Sequence, residues 1–231
     1  MPTPESRGFG IADAILAVLL AAWFCLNVSA SSEHSVTSLR TRDLIAQGLF
    51  TIGLVLFVVA FLAVRGLGLD SLGGFSRLGL RRTVLTGVVL LLAAYPLLFV
   101  AEAFTIRVLG LPAEHQPIVD LFNASTSLSQ RVMIIVLAVT LAPIAEELLF
   151  RFFIYGVLKR YFGRLVGVLG NAGLFAVVHA HAPSIAPLFV LGACLTIAFE
   201  WSGSILVSMS MHALFNTLTL VALAFPEFIQ Q

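Results

Sequence analysis

Charge is what this chain has least of. Its 231 residues include 13 basic and 12 acidic side chains, 11% of the total, where a soluble domain carries roughly 25%. That shortage excludes an ordinary water-facing surface. A net charge of +1 leaves no broad basic face for nucleic acid and no reason to expect a polyacidic partner. Cysteine is nearly absent as well. Cys25 and Cys194 lie far apart inside apolar runs, with no CxxC pair and no zinc-type spacing, which excludes a disulfide framework or a cysteine-built zinc site. There is no internal repeat, low-complexity stretch or appended soluble domain. No HExxH occurs either, so the helix motif of the usual soluble zinc proteases is missing.

What is present is apolar sequence: 59% of residues are hydrophobic and the mean hydropathy is +1.04. Apolar segments near the roughly 20 residues that cross a bilayer run over 11–28, 44–64, 84–104, 132–158, 165–180, 185–199 and 205–225. They predict an all-α polytopic membrane bundle of about seven to eight transmembrane helices. Val28-Ser29-Ala30 looks like a signal-peptide cleavage site. The poorly basic start, with Arg7 alone, and the polytopic remainder favour a retained helix. The connections 65–82 and 159–164 carry Arg65, Arg77, Arg81, Arg82, Lys159, Arg160 and Arg164 against Asp70 alone, which places both on the cytoplasmic side. The Gly-rich piece 66–79 reads as a loop, and 106–130, with Gly110, Pro112 and Pro117, suits the outer side.

Against this background the run Glu146-Glu147-Leu148-Leu149-Phe150-Arg151 stands out. A charge at membrane depth costs about 2.5 to 3.5 kcal/mol on insertion scales, so it persists where it is paired, faces a bundle interior or does chemistry. Residues four apart share a helix face, which pairs Glu147 with Arg151 and leaves Glu146, about 100° away, to face a cavity. Pro143, one turn earlier, removes a backbone donor and loosens the helix there. Two later segments bring further polar groups. His179 lies near the end of the fifth segment, with His181 on the opposite face and just before Pro183, and His212 and Asn216 share one face of the last. Counted from the basic ends, Glu146, His179 and His212 all fall roughly 12 to 21 Å deep at 1.5 Å per residue. A shared depth on three helices favours one buried site over three separate helix contacts. Asp13, Glu102 and Glu200 lie toward segment ends and read as interfacial.

One Glu and two His from separate helices can make a water attack a carbonyl in two ways. Without a metal, Glu146 takes the proton with His179 orienting the water, and His212 with Asn216 faces the oxyanion. With a divalent metal such as Zn2+, Glu146, His179 and His212 would be its ligands, a His2Glu set with one open position. The spacing leaves both open.

Glu146-Glu147-x-x-x-Arg151, Phe175-x-x-x-His179 and His212-x-x-x-Asn216, in this order on successive hydrophobic segments, resemble the CAAX protease and bacteriocin-processing (CPBP) family of intramembrane endopeptidases. This family is also called the ABI or type II CAAX prenyl endopeptidase family. The resemblance covers about 132–223 and suggests a catalytic core over 131–224, with 1–130 supplying N-terminal helices. It implies peptide-bond hydrolysis in or beside the bilayer, acting on a membrane-associated protein or peptide. Glu146 matches the water-activating carboxylate, His179 its partner, His212 and Asn216 the oxyanion pair, and Glu147 and Arg151 supporting positions. The family has been described both as metalloproteases and as metal-independent glutamate proteases. The short chain looks like that of a prokaryotic member, in the cell membrane. A scaffold on the same fold, or a transporter or proton relay, would be the alternatives; a transporter predicts internal pseudo-symmetry, which the sequence does not show.

Overall fold

The structure is a computed structural model, and it describes residues 9–32, 41–65, 78–112 and 117–224. Residues 66–77, which hold most of the Gly-rich piece 66–79 and of the basic connection 65–82, lie outside the described residues. All regular structure within them is helical: α1 (Ile11–Ser32), α2 (Thr41–Val64), α3 (Leu80–Arg107), the short α4 (Pro117–Ala124), α5 (Leu128–Val136), α6 (Ala142–Glu146), α7 (Tyr155–Val178), α8 (Ile185–Ser202) and α9 (Ile205–Ala224). Two π-helical stretches, Leu137–Leu141 and Glu147–Ile154, flank α6.

The distribution of side chains is that of a protein solvated by lipid. On α3 the buried face is Thr83, Gly87, Leu91, Ala94, Leu98, Ala101 and Thr105, while Leu85, Val89, Leu92, Phe99 and Val100 point outward. In water the larger apolar residues would be inside. In hydrocarbon burial of apolar area gains little, and small residues let backbones approach. Gly87 shows the approach: a Cβ there would lie 3.1 Å from the Met211 amide nitrogen on α9.

Among the described residues five helical runs are long and apolar enough to cross a membrane, and the Ile11–Trp23 part of α1 is apolar as well. The seven to eight expected spans are not confirmed by this count, in which 132–158 and 165–180 fall in one helical run, Leu128–Val178. That run is not straight. Gly163 has φ 81° and ψ 173°, a conformation open essentially to glycine alone. Beyond it the chain folds back: a Cβ on Gly167 would lie 3.2 Å from the Tyr155 ring, although a straight helix would hold these positions about 18 Å apart. The run is therefore a hairpin of two antiparallel limbs.

The first limb is held from outside by aromatic rings. Phe9, ahead of α1, meets Phe152 and Phe153 with centroids 5.8 Å away, and Phe61 of α2 meets Phe153 at 5.4 Å. These are edge-to-face contacts, worth about 0.5 to 1.5 kcal/mol each beyond area burial. Asp13 joins the near ends of α1 and α2, accepting from the Gly10 amide at 2.6 Å and from Arg65 Nη2 at 2.9 Å. Its side chain is buried, engaged by the Gly10 amide and Arg65; Glu102 is exposed.

Candidate active site

The site begins with a backbone irregularity. Pro143 has no N–H to donate and its ring crowds the preceding turn. The helix relaxes into the wider i→i+5 ladder just before it, and the Ala142 amide donates to the Leu137 carbonyl. Ala138 is then passed over, because the next donor in that ladder would be Pro143. Asn216 fills the gap from α9: its Nδ2 donates to the Ala138 carbonyl at 2.7 Å. A second π-helical stretch follows Glu146, and all eight of its residues are buried. Glu146 thus sits at the joint between two widened turns, a kind of irregularity that concentrates at functional sites.

Glu147 and Arg151 make the expected i,i+4 pair, with Arg151 Nη1 3.2 Å from Glu147 Oε1 and both side chains 0% exposed. Glu147 has a second partner that helical phase did not suggest: His212 Nδ1 lies 2.9 Å from the same Oε1. A ring nitrogen facing a carboxylate carries its hydrogen, so Nδ1–H donates. His179 is fixed in the same way, since its Nδ1 lies 2.6 Å from the Phe175 carbonyl oxygen, which can only accept. Both rings, when neutral, therefore present an Nε2 lone pair.

Both lone pairs face Glu146. Its Oε2 lies 3.9 Å from His179 Nε2 and 3.8 Å from His212 Nε2, and is buried without a hydrogen-bond partner. The structure thus brings Glu146, His179 and His212 to one point, from α6, the end of the second limb and α9. The side chains of Glu146 and His179 are 13% and 28% exposed, so the point opens on one side, while Glu147 and Arg151 close it on the other. Asn216 is one turn from His212, with its amide already engaged by the backbone. His181 turns away at the helix end, its Nδ1 2.7 Å from Ser184 Oγ.

No group of three or more His, Cys, Asp or Glu side chains among the described residues is placed to hold a metal ion. The separations agree. A tetrahedral zinc site with bonds near 2.0 to 2.1 Å has donors about 3.3 Å apart, and the Glu146 oxygen stands 3.8 and 3.9 Å from the two ring nitrogens. As placed, the His2Glu set expected for the metal-bound version is too widely spread.

Sequence reasoning missed a second polar cluster further along the same helix face. Glu200, near the end of α8, is buried. It accepts from Tyr155 Oη at 2.8 Å and from Lys159 Nζ at 2.7 and 2.9 Å, with Arg164 Nε at 3.7 Å. Glu147, Arg151, Tyr155 and Lys159 form one i,i+4 series, which was the available signal. Asn171 and Thr196, both fully buried, join the second limb to α8 through a 2.9 Å hydrogen bond.

Fold and site together define an integral membrane protein of bundled helices with a carboxylate and two imidazoles converging in its interior. Residues 128–218, which carry all three motifs, match the family described as type II CAAX prenyl endopeptidase Rce1-like, consistent with the CPBP family. At the level of that family the match points to CAAX intramembrane protease activity on a membrane-associated substrate. No curated protein and no solved structure matches the chain.

Proposed function

We propose that this chain is an intramembrane endopeptidase in which Glu146 and His179 activate water and His212 stabilises the oxyanion. The observation that carries the reading is the convergence of Glu146 Oε2 with the Nε2 atoms of two imidazoles at 3.8 and 3.9 Å. A water between them has two hydrogens, which go to Glu146 Oε2 and His179 Nε2. At 3.9 Å apart, Glu146 Oε2 and His179 Nε2 can each lie roughly 2.8 Å from one water oxygen. Glu146 takes a proton from that water as its oxygen bonds to the peptide carbonyl carbon, while His179 Nε2 holds the second hydrogen. The carbonyl electrons move onto oxygen, and His212, which enters the cycle with a proton taken up from solvent at Nε2 and keeps it throughout, donates to the oxyanion. Glu147, paired with Arg151, offsets the charge His212 carries in that state and fixes its Nδ1–H. When the C–N bond breaks, Glu146 returns its proton to the leaving nitrogen, which balances the hydrolysis.

Asn216 serves by holding the widened turn through Ala138, and its remaining amide hydrogen is available to the oxyanion. The catalytic core is 131–224, with α1 to α3 as its buttress. The substrate is a membrane-associated protein or peptide whose scissile bond reaches the interior from the open side of Glu146 and His179. Cleavage of a panel of lipidated and unlipidated peptides in proteoliposomes tests the reading. Activity should depend on Glu146, His179 and His212; cleavage unchanged in Glu146→Ala would contradict it.

A further inference from the structure

We propose that Phe175, clamped by the Arg151 guanidinium, is the positioning residue that aims both imidazoles at Glu146. The inference rests on the hydrolytic reading above and assigns a task to a ring that touches no reacting atom. Phe175 is fully buried and stands at the centre of the site. The guanidinium carbon of Arg151 lies 4.4 Å from its centroid. The His179 ring is 4.8 Å away and the His212 ring 5.8 Å away, centroid to centroid. Phe150 meets it edge to face at 5.3 Å and 89°. On the side of α8, Gly192 makes room: a Cβ there would come within 3.1 Å of Phe175 Cδ1.

The electrostatics explain why an aromatic ring and an arginine occupy these positions. Arg151 Nε, Nη1 and Nη2 are all buried without a hydrogen-bond partner, so the guanidinium is held by the nearby Glu147 carboxylate and by the face of the ring. A planar, weakly hydrated guanidinium suits that face, whereas an ammonium is strongly hydrated and stays a point charge. Held this way, the ring cannot swing without losing contact with Arg151. The same residue's carbonyl fixes the His179 tautomer, and its ring borders both histidines. Arg151 therefore acts at a distance from the substrate, through Glu147 on His212 and through Phe175 on both rings.

The test compares Phe175→Leu and Phe175→Tyr in full-length protein in proteoliposomes, with a cleaved peptide as probe and 15N imidazole spectra of His179 and His212 in parallel. Phe175→Leu should lower kcat at least tenfold with KM within about twofold of wild type, and shift both imidazole signals. Phe175→Tyr, which keeps the ring, should stay within about threefold and leave the signals near their places. Arg151→Lys should reproduce the imidazole shifts of Phe175→Leu. Wild-type kcat and unmoved signals in Phe175→Leu would overturn the proposal, as would equal losses in the Leu and Tyr variants, which would make side-chain volume the cause. If the wild type cleaves nothing, the hydrolytic reading fails, while the imidazole shifts still decide whether Phe175 and Arg151 set the two rings. If a variant unfolds, the imidazole spectra of Arg151→Lys decide alone.

Discussion

Two acidic clusters hang on one helix face of the hairpin's first limb, and they differ in how completely their oxygens are used. Around Glu200 each carboxylate oxygen has a donor, from Tyr155 or Lys159 at 2.7 to 2.9 Å. Around Glu146 and Glu147 one oxygen of each is buried without a hydrogen-bond partner, and so are three nitrogens of Arg151. A buried polar group left unsatisfied costs about 1 to 3 kcal/mol, more when charged. A fold that can saturate Glu200 would saturate Glu146 as well, were stability the only demand. The saturated cluster ties α8 to the hairpin; the unsaturated one holds groups in readiness for a substrate and water.

Substitutions that exchange carboxylate for amide break this comparison most directly. Glu146→Gln removes the proton acceptor with little change of shape, and should lower kcat by about 10³-fold, within the usual range for loss of a general base; rates in proteoliposomes measure it. Glu147→Gln keeps an oxygen near His212 but removes the charge opposite Arg151. A fall of roughly 10²-fold in kcat is expected, about 2.7 kcal/mol, with KM little changed. At the second cluster Glu200→Gln should leave kcat within about twofold. It should cost roughly 1 to 3 kcal/mol of stability, less than a fully buried broken pair because Lys159 is 19% exposed. Thermal unfolding in detergent reads that loss. The smallest effect belongs to Gly203, which ends α8 at φ 64°: Gly203→Ala should cost about 1 kcal/mol, again without a change in kcat.

Much of the site was legible because the bilayer makes polar residues expensive. Glu146, Glu147, Arg151, His179, His212 and Asn216 are conspicuous in apolar runs, and i,i+4 spacing alone paired Glu147 with Arg151. Helical phase could not show that His212 reaches both carboxylates, since it treats each helix by itself and assumes 100° per residue. The π-helical turns around Glu146 break that assumption. The cause of the first, Pro143, was visible in the sequence; its consequence, an orphaned Ala138 carbonyl that engages Asn216, was not. The partners of Glu200 were not legible because they lie 41 and 45 residues away, on a limb packed against it in the fold. The membrane bundle itself was readable from hydropathy, whereas the number of spans depends on where helices merge and bend.

The most direct test of the account is a side-by-side cleavage assay of wild type, Glu146→Gln and Glu200→Gln in the same proteoliposomes, each first shown to be folded by its unfolding curve. The account predicts that Glu146→Gln loses activity by more than about 10²-fold while its unfolding temperature is unchanged, and that Glu200→Gln does the reverse. Cleavage by Glu146→Gln at the wild-type rate would contradict it.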